Sequence, residues 1–459
     1  VREKMTREYV KPRIIQQREG MMNKFGAVTS RFVDNIEGVK IAKLTEEFGS
    51  PLFVLSEKTI RQQYRNAVRE FSLQYPRVQF AWSYKTNYLD AVCAIYHQEG
   101  SWAEVVSEFE YEKAIKLGVP GEKIIFNGPY KPHDALKNAA KRKSKIHIDH
   151  LEEVISLEKI SRELKQPIDV AIRINMDTGI YPMWSRFGFN LENQEAYTAV
   201  AKIHSTGILL LKGLHCHIGT FILEPNAYKV AVQKLINFAK KIHDDFSIKI
   251  EYLDLGGGFP STNTLHGQYL PGSQVNPPLG KYAEAICGEL IKFGSLFEKP
   301  PQLFLETGRG LIDEAGYLLT TIVARKRLND GTAALILDAG INNLVTAAWY
   351  KHEFIPAQAY SEILENTVLY GPLCMNIDVM RPLLSLPAMS AGERIIIHPV
   401  GAYNMTQWTQ FIRLRPAIVL IDTKGNTHVV RKAETLAYLT QLENIPAHIK
   451  EKKFRGRVV

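Results

Sequence analysis

The strongest constraint on the fold of this 459-residue chain is an alternation of short β-rich runs with longer amphipathic segments. The pattern predicts strands over 78–85, 102–107, 123–128, 145–149, 169–175, 212–219, 250–256 and 302–306. Each is rich in Val, Ile, Phe or Tyr, and most end in polar residues or glycine. Helices are predicted between them, over 90–99, 108–117, 132–141, 151–164, 194–204, 225–244 and 279–297. Apolar residues recur there three and four apart, as in Leu279, Tyr282, Ile286, Leu290 and Phe293. Eight strands alternating with helices over about 230 residues is the count of a closed (β/α)8 TIM barrel of the α/β class. An open doubly wound sheet of eight strands satisfies the same periodicity.

After Arg309 the texture changes. Strands are predicted over 318–326, 333–337, 367–370, 394–398, 417–422 and 428–430, separated by turns with little helical pattern. This predicts a C-terminal β domain, a β-sandwich or β-barrel. Residues 32–55 hold short apolar pieces broken by Asn35, Gly38 and Gly49-Ser50-Pro51. The expected division is a basic extension at 1–26, a segment at 27–55 joining the β domain, a barrel at 56–310, the β domain at 311–449 and a basic tail at 450–459.

The formal charge of +9 is confined to the ends. Residues 1–26 carry seven Lys/Arg against three Asp/Glu, and residues 450–459 carry five against one, a net +4 at each end. The 423 residues between hold only +1. A nucleic-acid binder concentrates basic residues on its folded body, so that partner is not expected. No stretch of about 18 apolar residues suggests a bilayer span. Positive charge near the start is not followed by an apolar core and a cleavage site, so no signal peptide is expected, and Met21 or Met22 is a candidate start. Cys93, Cys216, Cys287 and Cys374 are widely spaced, which fits reduced thiols in a cytoplasmic protein.

In a parallel barrel, active-site groups project from the C-terminal ends of the strands. Those ends carry Lys85; Glu104 and Ser107; Asn127; His147 and Asp149; Arg173 and Asn175; His215, Cys216, His217 and Thr220; Gly256, Gly257 and Gly258; and Glu306 with Arg309. Three glycines directly after an apolar strand let backbone N–H groups approach an anion, and Arg309 can add a charged donor to the same phosphate. Read without the other ends, the glycines fit a tight turn equally well. His215 and His217, two residues apart on one strand face, form a possible zinc pair, but no third ligand lies nearby and no metal is expected. A lysine that is desolvated or near other cations loses its proton and attacks an aldehyde. An amine anchor, an anion site and a carboxylate for a pyridinium nitrogen are together what pyridoxal 5'-phosphate (PLP) requires.

With these motifs in order, the chain resembles a fold-type III PLP-dependent decarboxylase of the diaminopimelate/ornithine decarboxylase family, from about Phe32 to Asp422. Ser83-Tyr84-Lys85-Thr86-Asn87 is similar to the Schiff-base lysine motif, and His215 to Thr220 to the segment whose second histidine, here His217, stacks on the ring. Leu253-Asp254-Leu255-Gly256-Gly257-Gly258-Phe259 resembles the phosphate-binding loop, and Glu306-Thr307-Gly308-Arg309 resembles E-P-G-R with Thr for Pro. The resemblance implies that Glu306 pairs with the ring nitrogen, that Arg309, Arg173 and Thr220 lie around the cofactor, and that Tyr403 in Gly401-Ala402-Tyr403 contacts phosphate. It also implies a homodimer in which Tyr370-Gly371-Pro372-Leu373-Cys374 brings Cys374 across the interface to protonate Cα. The implied activity is decarboxylation of an amino acid to an amine.

The resemblance departs at the residues that read the distal end of the substrate. Diaminopimelate decarboxylases follow the cysteine with Glu-Ser, where this chain has Met375-Asn376. They place an arginine after an Asp-Ala-Gly turn, where this chain has Thr346. Ornithine decarboxylases have an aspartate at the position of Met375, and Glu104 stands where the family more often has Asp. A substrate charge left unpaired in such a site costs several kcal/mol. The expected substrate is therefore another amino acid or amino-acid conjugate, with Met375, Thr346, Lys351 and His352 near its distal end. A true diaminopimelate decarboxylase and a PLP-dependent racemase are the alternatives. A catalytically silent homologue would have lost Lys85 or the glycines, and both persist.

Overall fold

The computed structural model describes residues 31–293, 299–360 and 364–450. The basic extension, the tail beyond Lys450, both candidate start methionines and the end of the helix predicted to 297 lie outside the described residues.

Eight parallel strands close into a barrel. In order they are Val78–Ser83, Trp102–Val105, Ile124–Phe126, Lys145–Ile148, Ile168–Asn175, Leu209–Cys216, Tyr252–Asp254 and Gln302–Thr307. Each pairs in parallel with the next, and the eighth pairs with the first, Leu303 opposite Val78. This closure excludes the open sheet. A two-residue strand, Phe189–Asn190, adds to the end of the fifth.

The barrel interior follows from the two-residue period of a strand. A lower layer holds Ala81, Ile125, Ala171, Tyr252 and Phe304, with Trp102 packed against it. Large and small side chains interdigitate here: a Cβ on Gly213 would lie 2.2 Å from the Tyr252 ring. Two residues further along each strand come Ser83, Glu104, Asn127, His147, Arg173, His215, Asp254 and Glu306, all buried. The lower layer is apolar apart from Lys145, whose ammonium lies over the Trp102, Tyr252 and Phe304 rings; the next layer is polar or ionisable.

The second domain is mostly sheet. Its hub is the long strand Gly316–Arg327, which pairs antiparallel with Leu52–Ser56, Ala333–Leu337 and Arg394–His398. Leu52–Ser56 also pairs in parallel with Ile418–Ile421, so a segment that precedes the barrel in sequence is central to a sheet whose other strands follow it. Glu353–Pro356 and Val379–Pro387 are strands beyond those the sequence pattern predicted.

A helix absent from the predicted alternation, Glu57–Ser72, links the domains. Its N-terminus is capped by Ser56, whose hydroxyl accepts from the Thr59 N–H at 3.1 Å. Ile60, Tyr64, Ala67 and Phe71 form its buried face. Phe71→Ala there would cost about 3–5 kcal/mol.

Candidate active site

The cavity at the C-terminal end of the barrel is lined by the polar layer and by the loops above it. Lys85, Glu104, Arg173, His217, Gly257, Gly258, Glu306, Arg309 and Tyr403 all border it. Lys85 lies in a 3-10 turn, Tyr84–Thr86, directly after the first strand. Its Nζ is 2.8 Å from Glu104 Oε1 and 2.7 Å from Oε2, with 41% of its side chain open to the cavity. The sequence expectation of an amine neutralised by burial or nearby cations is therefore corrected. Burial does act against the ammonium, but the Glu104 and Glu306 carboxylates outweigh it and hold Lys85 above the usual lysine range.

Glu306 ends the eighth strand with 4% of its side chain exposed. Its Oε1 accepts a short hydrogen bond from Asn127 Nδ2, and Asn127 Oδ1 lies 3.0 Å from His147 Nδ1. His215 Nε2 is 3.4 Å from Glu306 Oε2. His147, His215 and Glu306 bring potential ligand atoms within 4.8 Å of one another. Because Asn127 already joins the carboxylate to one of these rings, we read the trio as a hydrogen-bonded support. His215 and His217 do not share a strand face, because the strand ends at Cys216.

The His217 ring meets Trp184 edge-on, with centroids 5.5 Å apart. The Gly257 N–H donates to His217 Nδ1 at 3.1 Å. Burial, then the Arg173 and Lys85 charges, hold its pKa well below the histidine norm. The ring is thus neutral and keeps its proton on Nε2. Arg173 lies over Phe187 at 4.5 Å, with Nη1 3.8 Å from Asp149.

Gly256 and Gly258 occupy positive φ, +64° and +96°. A Cβ at Gly257 would lie 2.3 Å from the Glu306 carbonyl oxygen, and one at Gly258 2.4 Å from the Gly219 carbonyl oxygen. Only glycine fits this turn. Beside it the Arg309 guanidinium sits 4.7 Å from the Tyr403 ring and 4.8 Å from the Tyr350 ring. Its buried Nη1 has no hydrogen-bond partner. A buried guanidinium whose Nη1 has no hydrogen-bond acceptor, next to a glycine turn and Thr220, suits an anion, while the amine and Glu306 line the same cavity. These residues fit PLP, phosphate end and pyridine end alike.

Five expected residues, Thr346, Lys351, His352, Cys374 and Met375, are not among those lining the cavity. Thr346 is buried, its Oγ1 2.8 Å from both His352 Nε2 and Asn404 Oδ1, and His352 Nδ1 lies 2.8 Å from the Pro399 carbonyl oxygen. Lys351 Nζ donates to the Gln268 carbonyl at 3.0 Å. Thr346, Lys351 and His352 are thus engaged within their own loops, which corrects their expected place at the substrate. Cys374 and Met375 are exposed on a loop tied by Asp378, which accepts from the Leu373 and Ile341 N–H groups. Trp184 and Phe187 are among the lining residues that the motif pattern misses. They sit between the fifth strand and the Glu195–Thr206 helix, a loop whose length marks it as a candidate wall.

A family model described as "Pyridoxal-dependent decarboxylase, pyridoxal binding domain" matches residues 57–313, more than half of the chain. Diaminopimelate decarboxylase of Methanothermobacter thermautotrophicus is 29% identical over 431 residues, covering 90% of this chain and 96% of that protein. The Bacillus subtilis enzyme of the same name is 28% identical, covering 89% and 94%. The crystal structure of diaminopimelate decarboxylase from M. jannaschii with L-lysine superposes with a TM-score of 0.84 at 28% identity, covering 92% of this chain and 99% of that one. With the closed barrel, the mostly-sheet second domain and a cavity fitted to PLP, the chain belongs to the pyridoxal-dependent decarboxylases.

Proposed function

We propose that this PLP-dependent enzyme decarboxylates an amino acid or amino-acid conjugate whose distal end differs from that of diaminopimelate. The observation that carries the reading is the ionic layer under the mouth: one amine between two carboxylates, a neutral histidine, and beside the glycines an arginine with one nitrogen free of hydrogen bonds. The names of the relatives favour diaminopimelate, but Met375 and Thr346 stand where such enzymes carry ion-pairing groups. The aromatic wall of Trp184 and Phe187 adds apolar surface at the mouth.

Bound in the cavity, PLP supplies an electron-withdrawing ring that takes up the charge left on Cα when carboxylate departs as CO₂. Lys85 would hold PLP through its amine, and Glu104, 2.7 Å away, would take up the proton that the amine gives up. Glu306, which accepts a hydrogen bond from Asn127, would stand against the positive charge of the ring nitrogen. His217 would support the cofactor as an uncharged ring. Arg309, Thr220, Tyr403 and the Gly258 N–H would hold the phosphate, while the Gly256 and Gly257 N–H groups brace the turn on Asp254 Oδ1 and His217 Nδ1, and Arg173 orders the floor beside Asp149. Cys374, exposed in one chain, protonates Cα in the cavity of a second copy.

Measured CO₂ release across an amino-acid panel that includes meso-diaminopimelate tests this. The expected result is turnover of another substrate, with kcat/KM for meso-diaminopimelate lower by at least about a hundredfold, the scale of an unpaired charge. Efficient turnover of meso-diaminopimelate overturns the substrate reading, and inversion at Cα without CO₂ release overturns the reaction.

A further inference from the structure

Glu306 is buried in the barrel floor with two other carboxyl groups, Glu104 and Asp254, close by. A buried carboxylate needs donors aimed at it. Asn127 follows directly after the third strand, and His147 lies on the fourth; Phe126 opposite Ile146 in the parallel register brings the two side by side. Both are buried, with no side-chain exposure at His147.

The hydrogen bonds have one direction. Asn127 Nδ2 donates to Glu306 Oε1, so its Oδ1 faces His147. An amide oxygen only accepts, so His147 must carry its proton on Nδ1. The order is His147 Nδ1–H to Asn127 Oδ1, then Asn127 Nδ2–H to Glu306. Every donor in it points toward the carboxylate. The other ring nitrogen, His147 Nε2, is buried without a hydrogen-bond partner. If the amide turned over, its oxygen would face Glu306, and that contact requires a protonated carboxyl. The tautomer of His147 therefore selects the amide orientation, and the orientation selects the ionisation of Glu306.

We propose that His147 is a positioning residue which, through Asn127, keeps Glu306 ionised for the ring nitrogen of PLP. The inference rests on the proposed placement of that nitrogen at Glu306. The groups facing this network are Lys145 on the strand of His147, His215 on the sixth strand, Tyr252 and Asp254 on the seventh, Lys131 and Arg173 from the rim, and Lys85 with Glu104 across the floor. None of them donates to Asn127 Oδ1, so His147 Nδ1–H is the donor that orients the amide.

The test uses the full-length holoenzyme. Nitrogen-15 spectra of the parent should show His147 as the Nδ1–H tautomer, uncharged from pH 6 to 9. His147→Leu should move the acid limb of kcat upward by about one pH unit, a tenfold change in the proton affinity of Glu306, with KM little changed. The acid-side transition in the visible cofactor spectrum should move with it. His147→Gln, which can present an N–H to Asn127, should restore both. An Nε2–H or charged His147 in the parent overturns the proposal, as does a folded His147→Leu protein with parental pH profiles. Glu306→Gln separates the two readings. If it leaves turnover intact, the placement of the ring nitrogen fails; if it abolishes turnover while His147→Leu is silent, only the role of His147 fails.

Discussion

Gly257→Ala tests how tightly the anion turn is coupled to the rest of the site. Gly257 does not have positive φ, so backbone strain is not the issue. The added Cβ would stand 2.3 Å from the Glu306 carbonyl oxygen and 3.3 Å from its carbonyl carbon. Neither can swing away, because the Glu306 N–H is bonded to the Gly256 carbonyl at 2.8 Å at the end of a barrel strand. Overpacking of this kind costs about 1–3 kcal/mol. The shift also strains the Gly257 N–H to His217 bond, worth about 0.5–1.5 kcal/mol. A total loss of about 2–4 kcal/mol follows, and it falls on the turn, His217 and Glu306 at once. Gly267→Ala is the control: its Cβ meets nothing within 4 Å. Thermal melting and fluorescence titration with PLP read the two effects. The expected outcome is a lowered melting temperature and at least tenfold weaker PLP binding for Gly257→Ala, about 1.4 kcal/mol or more, and no change for the control. A Gly257→Ala protein that melts and binds PLP like its parent would refute the coupling.

Glu110 predicts a pH dependence of stability. Burial pushes its carboxyl up to about 7, only partly relieved by the Val106 N–H it accepts at 2.8 Å. The folded state then binds more protons than the unfolded one between about pH 4.5 and 7, so stability falls as pH rises through that window, by about 3 kcal/mol for this group. Glu110→Gln, followed by urea denaturation at several pH values, should flatten that slope. Trp184→Ala removes a wall of the mouth and should change the ratio of kcat/KM between large and small substrates by about tenfold or more, checked on the amino-acid panel. Mixing chains that carry Lys85→Ala with chains that carry Cys374→Ala should recover up to about a quarter of parental activity. Half of randomly paired dimers are mixed, and each holds one intact site of two.

The barrel was legible because its buried parallel strands read as apolar runs with a polar or glycine end. The polar layer was legible for the same reason, since residues two apart along a strand share a face. The regular spacing of helix signals between strands left only closure undecided, and closure depends on pairing between the first strand and the eighth. Leu52–Ser56 was harder to assign. All five residues are buried, and its partners lie more than 250 residues away. The helix Glu57–Ser72 carries the full spacing of Ile60, Tyr64, Ala67 and Phe71, so its signal was present in the sequence. At the site, Lys85, His217, the glycines, Glu306 and Arg309 converge on one cavity. Thr346 and Lys351 do not, because neighbouring loops satisfy their polar groups. Sequence separation along a loop does not say which way a side chain turns. The link from His147 through Asn127 was hidden because it needs the register of two strands as well as their ends.

Borohydride reduction of the purified protein, followed by peptide mass mapping, tests the central claim most directly. Lys85 is the amine between two carboxylates at the mouth of the barrel, on the same cavity as the glycine turn. The account predicts one pyridoxyl group per chain, fixed on the peptide that carries Lys85. Its absence, or its appearance on another lysine such as Lys131 or Lys351, would contradict the site described here.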